Sequence, residues 1–171
     1  MKLPYLHITS KRDAQNLLLG DPDPPIEALI SIGDPDEKEL TGHKTVKHYL
    51  RLGFHDILAK DDGKEKKKGI MKAPRKEDVQ KIIDFAKEIK ETNGVLIHCY
   101  AGASRSPASA IICMVKWLGK EHIEEEIEQK FNKDIYDVYK YFMPKEEPER
   151  VAAVSPSIST PAVGSLSGVP E

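Results

Sequence analysis

The sequence predicts an α/β domain in which a central, mostly parallel sheet is flanked by helices. Three observations support this fold class. Short apolar segments bounded by turn residues alternate with segments of helical composition along residues 1–143. The segment that opens at Pro74 and ends at Asn93 places apolar residues at the spacing of one buried helical face. The compact apolar run Val95 to Cys99 leads through a short loop into the apolar helix Pro107 to Leu118, which is a strand–loop–helix unit.

The earlier elements follow the same alternation. Tyr5 to Ile8 is predicted to be a short strand, and Ser10 is a suitable N-cap for a helix over Lys11 to Leu18. Ala28 to Ile32 and Tyr49 to Phe54 are predicted to be two further strands, each bounded by turn residues. This order favours a layered α/β architecture.

The remaining segments are a charged insert, two short helices and a C-terminal tail. Residues 59–73 contain DDGKEKKKG, a charged and glycine-punctuated run without periodicity, which we interpret as a solvated surface loop rather than a substrate-recruiting patch. His122 to Phe131 and Ile135 to Phe142 have the composition of two short helices that complete the domain. Residues 144–171 are rich in Pro, Ser, Ala and Gly, which predicts a disordered tail.

Composition limits the function classes. The 171-residue chain is 39% hydrophobic, enough for the core of one ordinary domain, and its formal net charge of -2 gives no overall attraction to nucleic acid or to an anionic membrane. No run approaches the roughly 20 apolar residues of a membrane span, and the N-terminal segment lacks the apolar core of a secretory signal. Two cysteines are too few for a disulfide framework. We therefore expect a cytoplasmic protein with reduced thiols and neither nucleic-acid nor membrane partners.

The segment HCYAGASRS, from His98 to Ser106, has the pattern of an anion-binding loop. A loop this short must curl, so its backbone N–H groups converge, and the following helix N-terminus adds a positive dipole. Gly102 permits conformations that other residues resist. Cysteines in such a positive potential ionise readily, which makes Cys99 a candidate nucleophile. Arg105 offers a planar fork that suits the oxygens of a phosphoryl group.

Two neighbours of these residues have supporting roles. The hydroxyl of Ser106 is placed to donate to the Cys99 sulfur and to help the thiolate leave when a covalent intermediate is hydrolysed. His98 is expected to orient the loop rather than to attack substrate. The substrate-binding residues of the loop are predicted to be Tyr100, Ala101, Gly102, Ala103, Ser104 and Arg105.

The pattern His-Cys-(five residues)-Arg-Ser resembles the signature of the protein-tyrosine-phosphatase superfamily, in particular its compact dual-specificity-like branch of bacterial and archaeal type. The strings LISI (Leu29 to Ile32) and FHDI (Phe54 to Ile57) are similar to upstream strands of that branch. The resemblance implies the cysteine phosphatase fold and a cysteinyl-phosphate intermediate, with neither metal nor organic cofactor. It also implies a general acid from an upstream loop, and Asp56 matches that position, with Asp61 and Asp62 as the alternatives.

The same resemblance implies a partner, namely a phosphorylated protein or another phosphomonoester. Phosphotyrosine is the expected substrate, and phosphoserine and phosphothreonine remain open beside it. One departure from the family pattern is the DDGKEKKKG insert, which lengthens the stretch between the candidate acid and the nucleophile. Two other functions compete: a rhodanese-like sulfurtransferase, which also places a cysteine at the start of a curled loop, and a non-catalytic phosphate-binding module.

Three other residues have plainer interpretations. Asp34 follows an inner strand and is interpreted as a turn residue. Cys113 lies on the apolar helix and is interpreted as a core residue, with a resolving thiol for Cys99 as the alternative. The spacing of Trp117 fits packing, and we assign it no site.

Overall fold

The computed structural model describes residues 2–119. The predicted helices His122 to Phe131 and Ile135 to Phe142 and the predicted tail, 144–171, lie outside the described residues. The described strands are β1 (Tyr5–Ser10), β2 (Ile26–Gly33), β3 (His48–Gly53), β4 (Glu65–Lys66), β5 (Gly69–Ile70) and β6 (Gly94–Cys99). The described helices are α1 (Lys11–Leu19), α2 (Lys76–Glu88) and α3 (Arg105–Leu118).

The main sheet has four parallel strands in the order β1-β6-β2-β3. Strand β6 lies inside the sheet and all six of its residues are buried. Ser10 of β1 is in register with Cys99, and Ser31 of β2 is in register with His98. The carboxyl ends of three neighbouring strands therefore meet at one edge, which is where parallel α/β sheets place their sites.

The core has two parts because side chains alternate between the faces of the sheet. On one face, Ile30 and Ile97 pack in a cluster with residues of α2 and α3, and the indole Nε1 of Trp117 donates to the Ala86 carbonyl at 2.8 Å. On the other face, Leu29 and Leu96 form a smaller cluster with Ala14 of α1 and with Leu40. Both faces of the sheet are thus covered by helices.

The structure confirms the predicted fold class: a mostly parallel central sheet flanked by helices. Two helix starts differ from the sequence prediction. Helix α2 begins at Lys76 rather than Pro74, because the Asp78 carboxylate accepts a hydrogen bond from the Arg75 backbone N–H at 2.9 Å and caps the helix there. Helix α3 begins at Arg105, two residues before Pro107, and proline is tolerated in a first turn because N–H groups there lack helical partners.

The prediction of an irregular loop over 59–73 was wrong in one respect. Strands β4 and β5 pair in an antiparallel hairpin, with Glu65 opposite Ile70 and Lys66 opposite Gly69. The hairpin is exposed, as predicted for the segment. Strands of two residues are too short to show an alternation of apolar and polar residues, so the sequence carries no strand signal here. Gly69 has φ of +100°, which permits the chain reversal.

Candidate active site

The loop of residues 100–104 joins β6 to α3 at the carboxyl edge of the sheet. Gly102 has φ of +74°, and a Cβ atom on it would lie 2.5 Å from the Ser10 nitrogen and 2.6 Å from the Thr9 carbonyl carbon. Neither backbone atom can move without distorting β1. The Lys11 N–H donates to the Tyr100 carbonyl at 3.1 Å. The end of β1 and the start of α1 therefore fix the curl of the loop, and glycine is required at 102.

Cys99 opens this loop as a buried thiol, 2% exposed. Its Sγ lies 3.3 Å from the Ser106 Oγ, and the Gly102 N–H donates to it at 3.2 Å. Burial opposes ionisation of the thiol. Hydrogen bonds from the Ser106 hydroxyl and from the backbone N–H groups of Ser106, Gly102 and Ser104 outweigh burial and lower the Cys99 pKa below its ordinary value. The predicted contact of Ser106 with the sulfur is present.

Arg105, at the far end of the loop, is 6% exposed. Its Nη1 donates to the Phe54 carbonyl at 2.8 Å and to the Asp34 carboxylate at 3.1 Å. Its Nε is buried and has no hydrogen-bond partner among the described residues. Leaving a buried donor unpaired costs about 1–3 kcal/mol, and more for a charged group. The guanidinium is thus held through Nη1, while its unpaired Nε can donate to an anion.

Asp34 is a site residue that the sequence interpretation missed. It does lie in a turn, because the Glu37 N–H donates to its carbonyl at 2.9 Å. Its side chain nevertheless forms an ion pair with Arg105. The available signal was that Asp34 follows a strand predicted to be interior. The sequence did not disclose that this strand, β2, is the direct neighbour of β6.

His98 supports the loop through a chain of polar contacts. Its Nδ1 lies 3.3 Å from the Cys99 carbonyl, its Nε2 lies 2.8 Å from the Ser31 Oγ, and the Arg51 Nη1 donates to that Oγ at 2.9 Å. Burial lowers the His98 pKa to about 4, so the ring is neutral near pH 7. A carbonyl only accepts, so Nδ1 carries the proton and Ser31 donates to Nε2. Sequence reasoning found His98 but neither Ser31 nor Arg51.

Asp56 lies beside the loop. Its carboxylate accepts a hydrogen bond from the Ser104 Oγ at 2.9 Å, and its side chain is exposed. The two alternatives are engaged within the insert: Asp61 pairs with Lys64 at 2.8 Å, and the Asp62 carboxylate accepts from the Ala73 N–H at 2.8 Å. Of the three candidates, Asp56 is the carboxylate with a direct contact to the loop.

The remaining predicted loop residues and Cys113 are also placed. Tyr100 is 69% exposed and, with Lys11, Arg12, Gln15 and Leu40, lines a groove of about 460 Å³ beside the loop. Ala101 and Ala103 lie within the exposed part of the loop. Cys113 is fully buried, which raises its pKa to about 12 and keeps it a thiol. Its side chain belongs to the larger buried cluster between the sheet and the helices α2 and α3, so it is a core residue as predicted.

Within residues 2–119, no three His, Cys, Asp or Glu side chains cluster as metal ligands would. None of the helices in that same range is long and apolar enough to cross a membrane.

The described architecture belongs to a recognised class, the dual-specificity protein-tyrosine-phosphatase-like fold, as the resemblance of the loop implied. Among solved structures, DUSP15 matches with a TM-score of 0.54 at 22% identity, over 82% of this chain and 85% of that chain. Tk-PTP in its active form matches with a TM-score of 0.50 at 17% identity, over 82% and 90%. No protein-family model and no curated protein sequence matches the chain. At sequence identities this low, the structural similarity establishes the fold alone, so function has to be argued from the site.

Proposed function

We propose that this protein is a cysteine-dependent phosphomonoester hydrolase that acts on phosphotyrosine in proteins, with phosphoserine and phosphothreonine left open as further substrates. One observation carries the proposal: a loop that begins with a cysteine of lowered pKa ends with a buried arginine whose Nε has no partner among the described residues. A nucleophile and an unfilled anion donor on the same short loop suit a phosphoryl group.

In the first step, the Cys99 thiolate attacks phosphorus and the bond from phosphorus to the ester oxygen breaks. Arg105 and the loop N–H groups hold the equatorial oxygens, and protonated Asp56 gives its proton to the leaving oxygen. The products are the dephosphorylated alcohol or phenol and a cysteinyl-phosphate. The contact of Asp56 with Ser104 supports its assignment as the acid.

In the second step, the Asp56 carboxylate takes a proton from a water molecule, which attacks the cysteinyl-phosphate. The phosphorus–sulfur bond breaks, inorganic phosphate forms and the thiolate returns. Ser106 supports this step, because its hydroxyl lies 3.3 Å from the sulfur and can stabilise the leaving thiolate. No sulfur-transfer or purely binding role requires a carboxylic acid at the rim, so Asp56 favours hydrolysis over the two competing functions.

The first test measures hydrolysis of para-nitrophenyl phosphate by the wild type, Cys99→Ser and Asp56→Asn, with EDTA present and vanadate as inhibitor. We expect vanadate-sensitive turnover that is lost in Cys99→Ser. Asp56→Asn should lose about 10²-fold or more in kcat, which is typical of a general acid. Phenyl phosphate has a more basic leaving group, so its hydrolysis should fall further in Asp56→Asn than that of the nitrophenyl ester.

Asp62→Asn is the matched control. It also removes a carboxylate, but the hydrogen bond that this carboxylate accepts comes from the Ala73 N–H and not from the loop. Its kinetics should stay close to those of the wild type. Equal losses for both esters in Asp56→Asn would remove Asp56 as the acid. Sulfur transfer from thiosulfate to cyanide, in the absence of any phosphatase turnover, would replace the proposal with the sulfurtransferase.

A further inference from the structure

The tip of the hairpin β4–β5 concentrates positive charge, with three consecutive lysines beside one carboxylate, that of Glu65. Lys66, Lys67 and Lys68 occupy its tip, all exposed, and none of them forms an ion pair with another described residue. Of the acidic groups of the insert, Asp61 pairs with Lys64 and Asp62 with Arg75 at the base, whereas Glu65 is exposed on β4 next to Lys66, so the three lysines remain in excess at the tip. The chain as a whole carries a net charge of -2, so this tip is a local basic surface on a weakly acidic protein.

The hairpin is fastened to the loop that carries Asp56. The His55 N–H donates to the Lys72 carbonyl at 2.7 Å, and the Lys72 N–H donates to the His55 Nδ1 at 2.9 Å. His55 is buried and directly precedes Asp56, whose carboxylate contacts Ser104 of the phosphate loop. The base of the hairpin therefore stands one residue from the rim of the site.

The reach of the hairpin sets the distance over which it can act. Lys68 is four residues from Lys72, so the tip extends about 13 Å from the base at the rise of a β-strand. A peptide bound in extended form covers the same distance in about four residues. A peptide that runs from the loop along the hairpin would therefore bring positions three to five residues from its phosphorylated residue to the lysines.

One more feature selects the kind of partner. Ile70, on β5 beside the lysines, is 72% exposed. A nucleic-acid backbone offers such a side chain nothing to pack against, and a single isoleucine is far less than the broad apolar face with which amphipathic elements insert into membranes. An acidic polypeptide supplies both carboxylates for the lysines and apolar side chains for Ile70.

We propose that the hairpin tip, defined by Lys66, Lys67, Lys68 and Ile70, is a substrate-docking surface for acidic segments that flank the phosphorylated residue. The proposal rests on the proposed function, because it assigns the substrate class of the same site. It reverses the earlier interpretation of these lysines as a merely solvated loop.

The test compares two phosphotyrosine peptides, one with glutamates three to five residues from the phosphotyrosine and one with glutamines there. In the triple variant Lys66→Gln, Lys67→Gln and Lys68→Gln, kcat/KM for the acidic peptide should fall about ten-fold, the size expected for three exposed ion pairs. Hydrolysis of the glutamine peptide and of para-nitrophenyl phosphate should stay within two-fold of the wild type, which also shows that the variant is folded. Added salt should weaken the wild-type preference for the acidic peptide.

The control variant is Lys81→Gln, Lys87→Gln and Lys90→Gln, which removes the same charge from α2 and its end. An acidic-peptide preference that survives in the tip variant, or that falls equally in the α2 variant, would overturn the docking surface.

A second readout does not depend on turnover: an unphosphorylated acidic peptide should shift the backbone amide NMR signals of residues 64–70. If para-nitrophenyl phosphate is not hydrolysed but these signals shift, the proposed function fails, and the hairpin tip is a binding surface for acidic peptides without a role in substrate docking. Signals that respond to phosphatidylserine vesicles and not to the peptide would replace the peptide with a membrane.

Discussion

Acidification should destabilise the protein through His98, which is buried and neutral. Its pKa is about 4 in the folded protein against an ordinary 6.5. The unfolded chain therefore binds a proton at a pH where the folded protein does not, and the stability contributed by the neutral ring is present above pH 6.5 and is lost as the pH falls towards 4. The full difference corresponds to about 3 kcal/mol, of which about 2 kcal/mol is lost by pH 5.

The measurement is urea unfolding at pH 7, 6 and 5, followed by the fluorescence of Trp117. This is the single tryptophan of the chain and is 7% exposed in the fold, so it reports loss of the core. The comparison is with His98→Asn, whose Nδ2 can still donate to the Cys99 carbonyl but does not titrate. All other titrating groups contribute equally to both proteins and cancel in the difference.

We expect the free energy of unfolding to fall by about 2 kcal/mol more in the wild type than in His98→Asn between pH 7 and pH 5. If His98→Asn is too unstable to analyse, ¹⁵N NMR of the wild-type imidazole gives the same answer, because the Nδ1–H tautomer should persist at pH 5. Parallel pH dependences in the two proteins, or an imidazolium signal at pH 6, would refute the assignment of a neutral, burial-locked His98.

Three further predictions concern the loop and its supports. The pH dependence of Cys99 alkylation by iodoacetamide should have its midpoint below the ordinary thiol pKa, and Cys113 should stay unreactive in the native protein. Ser106→Ala should raise that midpoint. An unchanged midpoint in Ser106→Ala would mean that the Ser106 hydroxyl does not stabilise the thiolate. Asp34→Ala should lower kcat about ten-fold by loosening Arg105, and Asp34→Asn, which keeps an acceptor, should restore most of the loss; equal loss in both would assign the effect to charge instead of position. Gly102→Ala should cost about 2 kcal/mol of stability and most of the activity. Gly63→Ala is the control, because Gly63 also has a positive φ, +75°, but a Cβ atom on it would have no neighbour within 4 Å, so activity should be retained. Similar activities in the two variants would contradict the close contact of Gly102 with β1.

The sequence predicted the parts of this structure that depend on local pattern. The strands of the main sheet, the three helices and the loop between Cys99 and Arg105 could be predicted from periodicity, turn residues and the spacing of Cys99 and Arg105. The predicted contact of Ser106 with Cys99 is present in the structure, and Asp56, the residue predicted to be the general acid, contacts Ser104 of the loop. The first contact lies within the segment Cys99 to Ser106, and the second joins that segment to the string FHDI, on which the family resemblance also rests.

The contacts that escaped prediction cross between strands whose order in the sheet is not encoded locally. Asp34 reaches Arg105 over 71 residues, and Ser31 reaches His98 over 67. Both become neighbours because β2 lies next to β6, and no spacing rule within the sequence indicates that adjacency. The hairpin was missed for a different reason, since its two-residue strands are held by backbone hydrogen bonds that leave no side-chain signature.

The complete burial of β6 determines how readily this strand opens to solvent. The amide protons of β6 have no route to solvent short of separating the sheet, so they should exchange with deuterium only through global unfolding, whereas those of β4 and β5 exchange by local opening. The loop that bears Cys99 grows directly from this slowest-exchanging strand. The Cys99 end of the loop is therefore anchored to the part of the sheet that should open last, whereas Asp56 lies beside the hairpin segment, which should open more readily.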